Sequence, residues 1–125
     1  MTVYPTAVLI KAENLYKAYY KIISENWETV FSVTTFPFPI QRAIFKNDDG
    51  LIEMFQPEMF NKRSQDLKEA YHDAGQFYLS TANAVFEEMP AFSNRSGMII
   101  LPRYQVADID TEEDFIIAEK LLRSL

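Results

Sequence analysis

The chain has 125 residues, 48% of them apolar, and a net charge of −6, which fits one moderately cored domain or part of one and argues against a disordered segment. The acidic balance disfavours a nucleic-acid binder, although a divalent cation can still bridge acidic side chains to a phosphate. With no cysteine, no basic leader and no apolar run of membrane-spanning length, the expectation is no disulfide, no thiolate metal site, no signal peptide and no membrane span, and the default compartment is the cytoplasm.

Val3 and Tyr4, followed by Pro5-Thr6-Ala7, read as the end of a buried strand running into a loop. Over residues 12–25, Leu15, Ala18, Tyr19, Ile22 and Ile23 recur at helical spacing with lysines between them. Residues 29–36 are rich in β-branched and aromatic types and predict a strand, which Pro37 and Pro39 end. Two runs, 41–46 and 51–55, flank Asn47-Asp48-Asp49-Gly50 and predict a β-hairpin. A short helix is expected over 64–71, a short strand over 76–79, a helical turn or two over 81–88 and an apolar strand over 98–101, ended by Pro102. Thr111 with Asp114 forms a capping box, and Phe115, Ala118, Leu121, Leu122 and Leu125 predict one face of a last helix. Strands alternating with helices give an α/β fold with a hairpin inserted after the second strand.

Three segments carry residues suited to chemistry. In Asp108-Ile109-Asp110 an extended backbone sends both carboxylates to one side, ahead of a helix N-terminus, where they can hold a hard cation. The plainer alternative is that Asp110 caps the helix and Asp108 is solvated. Arg63 and Gln65 offer a guanidinium for a carboxylate and an amide for hydroxyls, or else form an exposed loop with Asp66 nearby. Gln76 and Tyr78 share one face of their strand and can read hydroxyls if that face is wet, or pack if it is not. His72, the only histidine, has no nucleophile motif around it and reads as structural or substrate-proximal, and Phe31, Phe36 and Phe38 read as core or interface. Glu87-Glu88 and Glu112-Glu113 read as solvated, and no Gly-rich phosphate loop is present.

Taken together the segments are more specific. Phe36-Pro37-Phe38-Pro39-Ile40-Gln41-Arg42-Ala43, Met54-Phe55-Gln56-Pro57-Glu58, Asn61-Lys62-Arg63-Ser64-Gln65-Asp66-Leu67 and Glu69-Ala70-Tyr71-His72-Asp73-Ala74-Gly75-Gln76-Phe77-Tyr78 resemble the pseudaminic acid cytidylyltransferases. The tail from Pro102-Arg103-Tyr104 through Asp108-Ile109-Asp110-Thr111-Glu112-Glu113-Asp114 resembles the wider acylneuraminate cytidylyltransferases, which include CMP-sialic acid synthetase. The likeness runs from Tyr4 to the last helix.

The resemblance implies a Mg²⁺-dependent reaction of CTP with a nonulosonic acid, pseudaminic acid first among them, giving the CMP-sugar and pyrophosphate. It implies the C-terminal half of a Rossmann-like nucleotidyltransferase fold, and a homodimer joined through the hairpin region at about residues 37–60. The metal-binding segment and last helix fall at about 104–125. By position Asp108 and Asp110 match the metal ligands, Arg63 and Gln65 fall in the sugar-binding segment, and Gln76 and Tyr78 lie by the sugar; no catalytic residue beyond the metal ligands is implied. The family's opening strand and its Gly-, Arg- and Lys-containing phosphate loop have no counterpart here. Val8 stands where proline is expected and Leu79 where tryptophan is. The expectation is therefore half of an enzyme, inactive alone, or else a truncated homologue that serves as a dimerising module. The strands at 3–4 and 29–36 are expected to lack neighbours in such a fragment.

Overall fold

The computed structural model describes residues 1–124, and Leu125 of the last apolar stripe lies outside them. The chain divides into two units: Met1–Thr34 with Asp73–Leu125, and Thr35–His72. The first carries a four-stranded sheet in the order β1-β5-β2-β6, built from β1 (Thr2–Val3), β2 (Thr29–Thr35), β5 (Tyr71–Ser80) and β6 (Ser96–Leu101). β1 runs antiparallel to β5, and β2 runs parallel to β6 with Thr29 opposite Ser96 and Thr34 opposite Leu101. The sheet is thus mixed, within an α/β fold.

Helix α1 (Ala12–Glu25) has the predicted bounds. It stops at Asn26, which takes the left-handed conformation at φ 58° that asparagine tolerates better than most residues. Its apolar stripe supplies Ala18 to a core with Val30 and Phe77, flanked by Leu15, Ile22, Trp27, Leu79 and Ile99. Gly97 is dictated by that packing: a Cβ there would stand 2.8 Å from Trp27 Cδ1. β2 is buried along nearly its whole length, as an interior strand covered on both faces should be. Its expected lack of neighbours is not observed, since β5 and β6 flank it.

Thr81 caps the short α2 (Ala82–Phe86) by accepting from the Ala84 N–H. At α3 (Glu112–Ser124), Thr111 Oγ1 accepts from the Asp114 N–H at 3.3 Å while Asp114 Oδ2 accepts from the Thr111 N–H at 2.9 Å, the reciprocal box its sequence predicts. The stripe below is less buried than expected. Among its described residues only Ala118 is fully covered, and Phe115 and Leu122 border a small apolar recess of about 110 Å³ with Val8 and Ile109.

Other expectations need correction. Val3 and Tyr4 are exposed on an edge, because β1 has a neighbour on one side only. The helix expected over 64–71 is one 3₁₀ turn, Ser64–Asp66, after which Leu67 is extended; the local propensity of that run yields to β5, which starts at Tyr71. The short strand expected over 76–79 is therefore ten residues long.

In the second unit the hairpin forms, shorter than predicted. β3 (Ile44–Lys46) pairs antiparallel with β4 (Ile52–Met54), while Ile40–Arg42 form a 3₁₀ turn. Asn47 closes the loop through its backbone N–H to the Leu51 carbonyl, and Gly50 supplies φ +81°. Ile44, Leu51, Ile52 and Phe55 of this ribbon are exposed.

Candidate functional site

The extended segment ahead of α3 places Asp108 and Asp110 in one recess of the first unit, which Tyr4, Thr6, Asp73 and Gly75 complete. Gly75 makes the recess possible in two ways. Its φ of +61° is unfavourable for a side chain, and a Cβ on it would lie 3.2 Å from Asp108 Oδ1 and 3.3 Å from its Cγ. The Asp108 carboxylate therefore rests against bare backbone.

The same glycine makes a bulge in β5. In a regular strand, residues five apart point to opposite faces. Here Tyr78 donates its hydroxyl to Asp73 Oδ2 across that separation, because the left-handed residue between them shifts the alternation. Asp73 Oδ1 accepts the Gly75 N–H at 2.9 Å. The Tyr78 ring is fixed in turn: it stacks on Phe31 at 5.4 Å and 12°, and meets Tyr4 edge-on at 6.0 Å.

Asp110 does not cap α3. Thr111 and Asp114 do so, and Asp114 also receives the Asp110 N–H at 3.3 Å, which leaves the Asp110 carboxylate lining the recess. The Thr111 hydroxyl, and then its backbone N–H, hold the Asp114 carboxyl below its ordinary value. Among the described residues no group of three or more histidine, aspartate or glutamate side chains is arranged to close on a metal. Two carboxylates with open space suit Mg²⁺ better than Ca²⁺ or Zn²⁺, because Mg²⁺ keeps several waters and takes one or two carboxylates beside substrate phosphates.

Gln76 is 1% exposed and donates Nε2 to the Gln105 carbonyl at 2.5 Å. It ties β5 to the turn at Arg103–Gln105 and is absent from the lining of the recess. Arg63 and Gln65 belong to the second unit. Arg63 Nε lies 2.8 Å from Asp66 Oδ2 in an exposed pair, which contributes little to stability. Gln65 lines a cavity of about 360 Å³ with Thr35, Phe36, Phe38, Gln41 and Glu69. Gln41 braces it by donating to the Lys68 carbonyl at 2.8 Å, and Arg42 reaches Ser64 Oγ at 3.3 Å. The aromatic residues expected to cluster divide: Phe31 is buried under Tyr78, while Phe36 meets His72 edge-on at 4.9 Å in the second unit. Asp73 is the site residue that sequence reasoning passed over. Its signal was the Asp-x-Gly spacing, in which an aspartate accepts the N–H two residues on.

No protein-family model matches the chain. Two curated relatives from Campylobacter jejuni, each named pseudaminic acid cytidylyltransferase, are 42% identical over 120 residues, 96% of this chain and 52% of theirs. A Helicobacter pylori protein, named for that activity and for UDP-2,4-diacetamido-2,4,6-trideoxy-β-L-altropyranose hydrolase, is 32% identical over 117 residues, 93% of this chain and 22% of its own. The chain spans about half the length of the Campylobacter relatives it matches. Over nearly all of its own length it is similar to pseudaminic acid cytidylyltransferases, as its motifs lead one to expect.

Proposed function

We propose that this chain is the sugar- and metal-binding half of a cytoplasmic cytidylyltransferase that joins CTP to pseudaminic acid and releases pyrophosphate. The observation that carries the reading is the recess in which Asp108 and Asp110 lie together against Gly75, in a chain 42% identical to enzymes so named. Asp108 and Asp110 are the residues to hold Mg²⁺. A Mg²⁺ ion held by Asp108 and Asp110 would supply neutralisation of phosphate charge and activation of a sugar hydroxyl as nucleophile. Tyr78 contacts the sugar acid. Within the second unit, Arg63 and Gln65 are the residue types suited to a carboxylate and to hydroxyls, and Arg63 would have to leave Asp66 to take a carboxylate. Gln76 acts from beneath, by holding the Arg103–Gln105 turn that leads to Asp108. The Rossmann-like fold belongs to this proposal, with the mixed sheet as its counterpart here.

Dimerisation through the hairpin is also proposed. A two-stranded ribbon is marginal alone in water, and this one exposes Ile44, Leu51, Ile52 and Phe55. No helix among the described residues is long and apolar enough to cross a membrane.

The test is titration of the ¹⁵N-labelled chain with Mn²⁺ in the presence of CTP and pseudaminic acid. Paramagnetic broadening centred on residues 108–110, together with shifts at Tyr78 on adding the sugar acid, supports the reading. Broadening spread over surface carboxylates, with no response to either substrate, overturns it. Light scattering tests the dimer, and a monodisperse monomer at 14.6 kDa would rule it out.

A further inference from the structure

We propose that Asp73 is a positioning residue. It holds the hydroxyl proton of Tyr78, so that the phenol oxygen meets the sugar acid as an acceptor and selects a donor group on it, a hydroxyl or an amide N–H. The inference rests on the functional reading above for its ligand, but not for its geometry.

The direction of the Asp73–Tyr78 hydrogen bond is forced. An ionised carboxylate only accepts, and a phenol has one proton to give. With its hydroxyl proton directed at Asp73 Oδ2, Tyr78 has only lone pairs left to offer a ligand, so its phenol oxygen can act only as an acceptor. The ring cannot swing to another partner without breaking its stack on Phe31 and its edge contact with Tyr4. Asp73 cannot turn freely either, because Oδ1 is held by the Gly75 N–H at 2.9 Å, a bond set up by the bulge at φ +61°. Asp73 lines the same recess as Asp108 and Asp110, so the selecting tyrosine is locked to the wall of the proposed metal site. A phenol free to rotate would accept either polarity in its ligand, whereas this one discriminates between them.

The geometry supplies a nearly isosteric inversion. In Asp73→Asn the Gly75 N–H still demands an acceptor, so the amide oxygen takes the Oδ1 position and the amide nitrogen the Oδ2 position. That nitrogen then donates to the phenol, and the hydroxyl proton of Tyr78 turns outward. Shape is kept and polarity is reversed.

The experiment has two arms on the full chain. In the first, proton NMR looks for a slowly exchanging tyrosine hydroxyl resonance that is lost in Tyr78→Phe and in Asp73→Asn. In the second, calorimetry with pseudaminic acid measures a double-mutant cycle. Asp73→Asn should weaken binding roughly tenfold in the native background. It should change binding by less than about twofold when Tyr78 is already phenylalanine, with the coupling criterion taken from ordinary additivity. A purely structural Asp73 predicts the same loss in both backgrounds, and that result overturns the proposal, as does absence of the protected hydroxyl in the native chain. If the native chain binds no pseudaminic acid while the hydroxyl is protected, the functional reading and the selection of a sugar donor both fall, and the Asp73–Tyr78 lock stands.

Discussion

Gly75→Ala tests the geometry of the candidate site with a single methyl group. The backbone at 75 sits at φ +61°, where an L side chain costs about 1–2 kcal/mol. Restricting the unfolded chain returns about 0.4–1 kcal/mol of that. The new Cβ would also stand 3.2 Å from Asp108 Oδ1 and 3.3 Å from its Cγ, so the carboxylate must yield by a few tenths of an ångström. Asp108 is exposed and can move, so crowding adds little to stability but displaces a proposed ligand. The net expectation is a loss of about 1 kcal/mol, a fall in melting temperature of roughly 3–5 °C for a chain of this length. Urea unfolding followed by circular dichroism measures the first quantity, and Mn²⁺ broadening at Asp108 measures the displacement. Gly75→Asn separates the two effects, because asparagine tolerates the left-handed region yet still carries the Cβ. It should recover part of the stability and none of the metal response. A Gly75→Ala chain as stable as the native one, with unchanged Mn²⁺ broadening, would refute both the bulge and the contact with Asp108.

Asp110→Asn should leave the melting temperature of the chain unchanged, since Thr111 and Asp114 make the cap, while sharply reducing Mn²⁺ broadening at 108–110; a destabilised variant with normal broadening would instead mark Asp110 as structural. Thr111→Ala removes the hydroxyl that accepts the Asp114 N–H and should cost about 1 kcal/mol, read by urea unfolding, with no loss indicating that the box is idle. Because Thr111 holds the Asp114 carboxyl below its ordinary value of 3.8, the charged form stabilises the folded state. That contribution is fully present above the ordinary value and is lost as pH falls through the lowered one. An acid titration of stability should therefore bring the native chain and Asp114→Asn together below that range, and parallel curves throughout would show that the box carries no pH dependence.

What the sequence disclosed follows from how local each signal is. Helix α1 was legible as an element, because its period and its lysines are written within one segment, although Tyr19 and Ile23 of the expected apolar face are exposed. The capping box of α3 and the Asn47–Gly50 turn were legible for the same reason. The burial of α3 was not: Phe115 and Leu122 stay exposed, bordering a recess whose other walls, Val8 and Ile109, lie outside the helix. Nor was the neighbourhood of β2, whose partners β5 and β6 are distant in sequence.

The site divides along the same line. Asp108 and Asp110 could be read as a pair because two residues apart in extended chain means one side. The burial of Gln76 could not be read from its place in the strand, because the Gln105 carbonyl that it meets lies 29 residues on. Asp73 defeats period-two reasoning altogether. Its distance of five from Tyr78 assigns the two to opposite faces of any regular strand, and only the left-handed backbone at Gly75 brings them to one. The glycine that breaks the pattern of the strand is also the one that leaves room for Asp108. One residue thus fixes the register of the proposed sugar-reading tyrosine and the seat of a proposed metal ligand, so a side chain there should disturb both together.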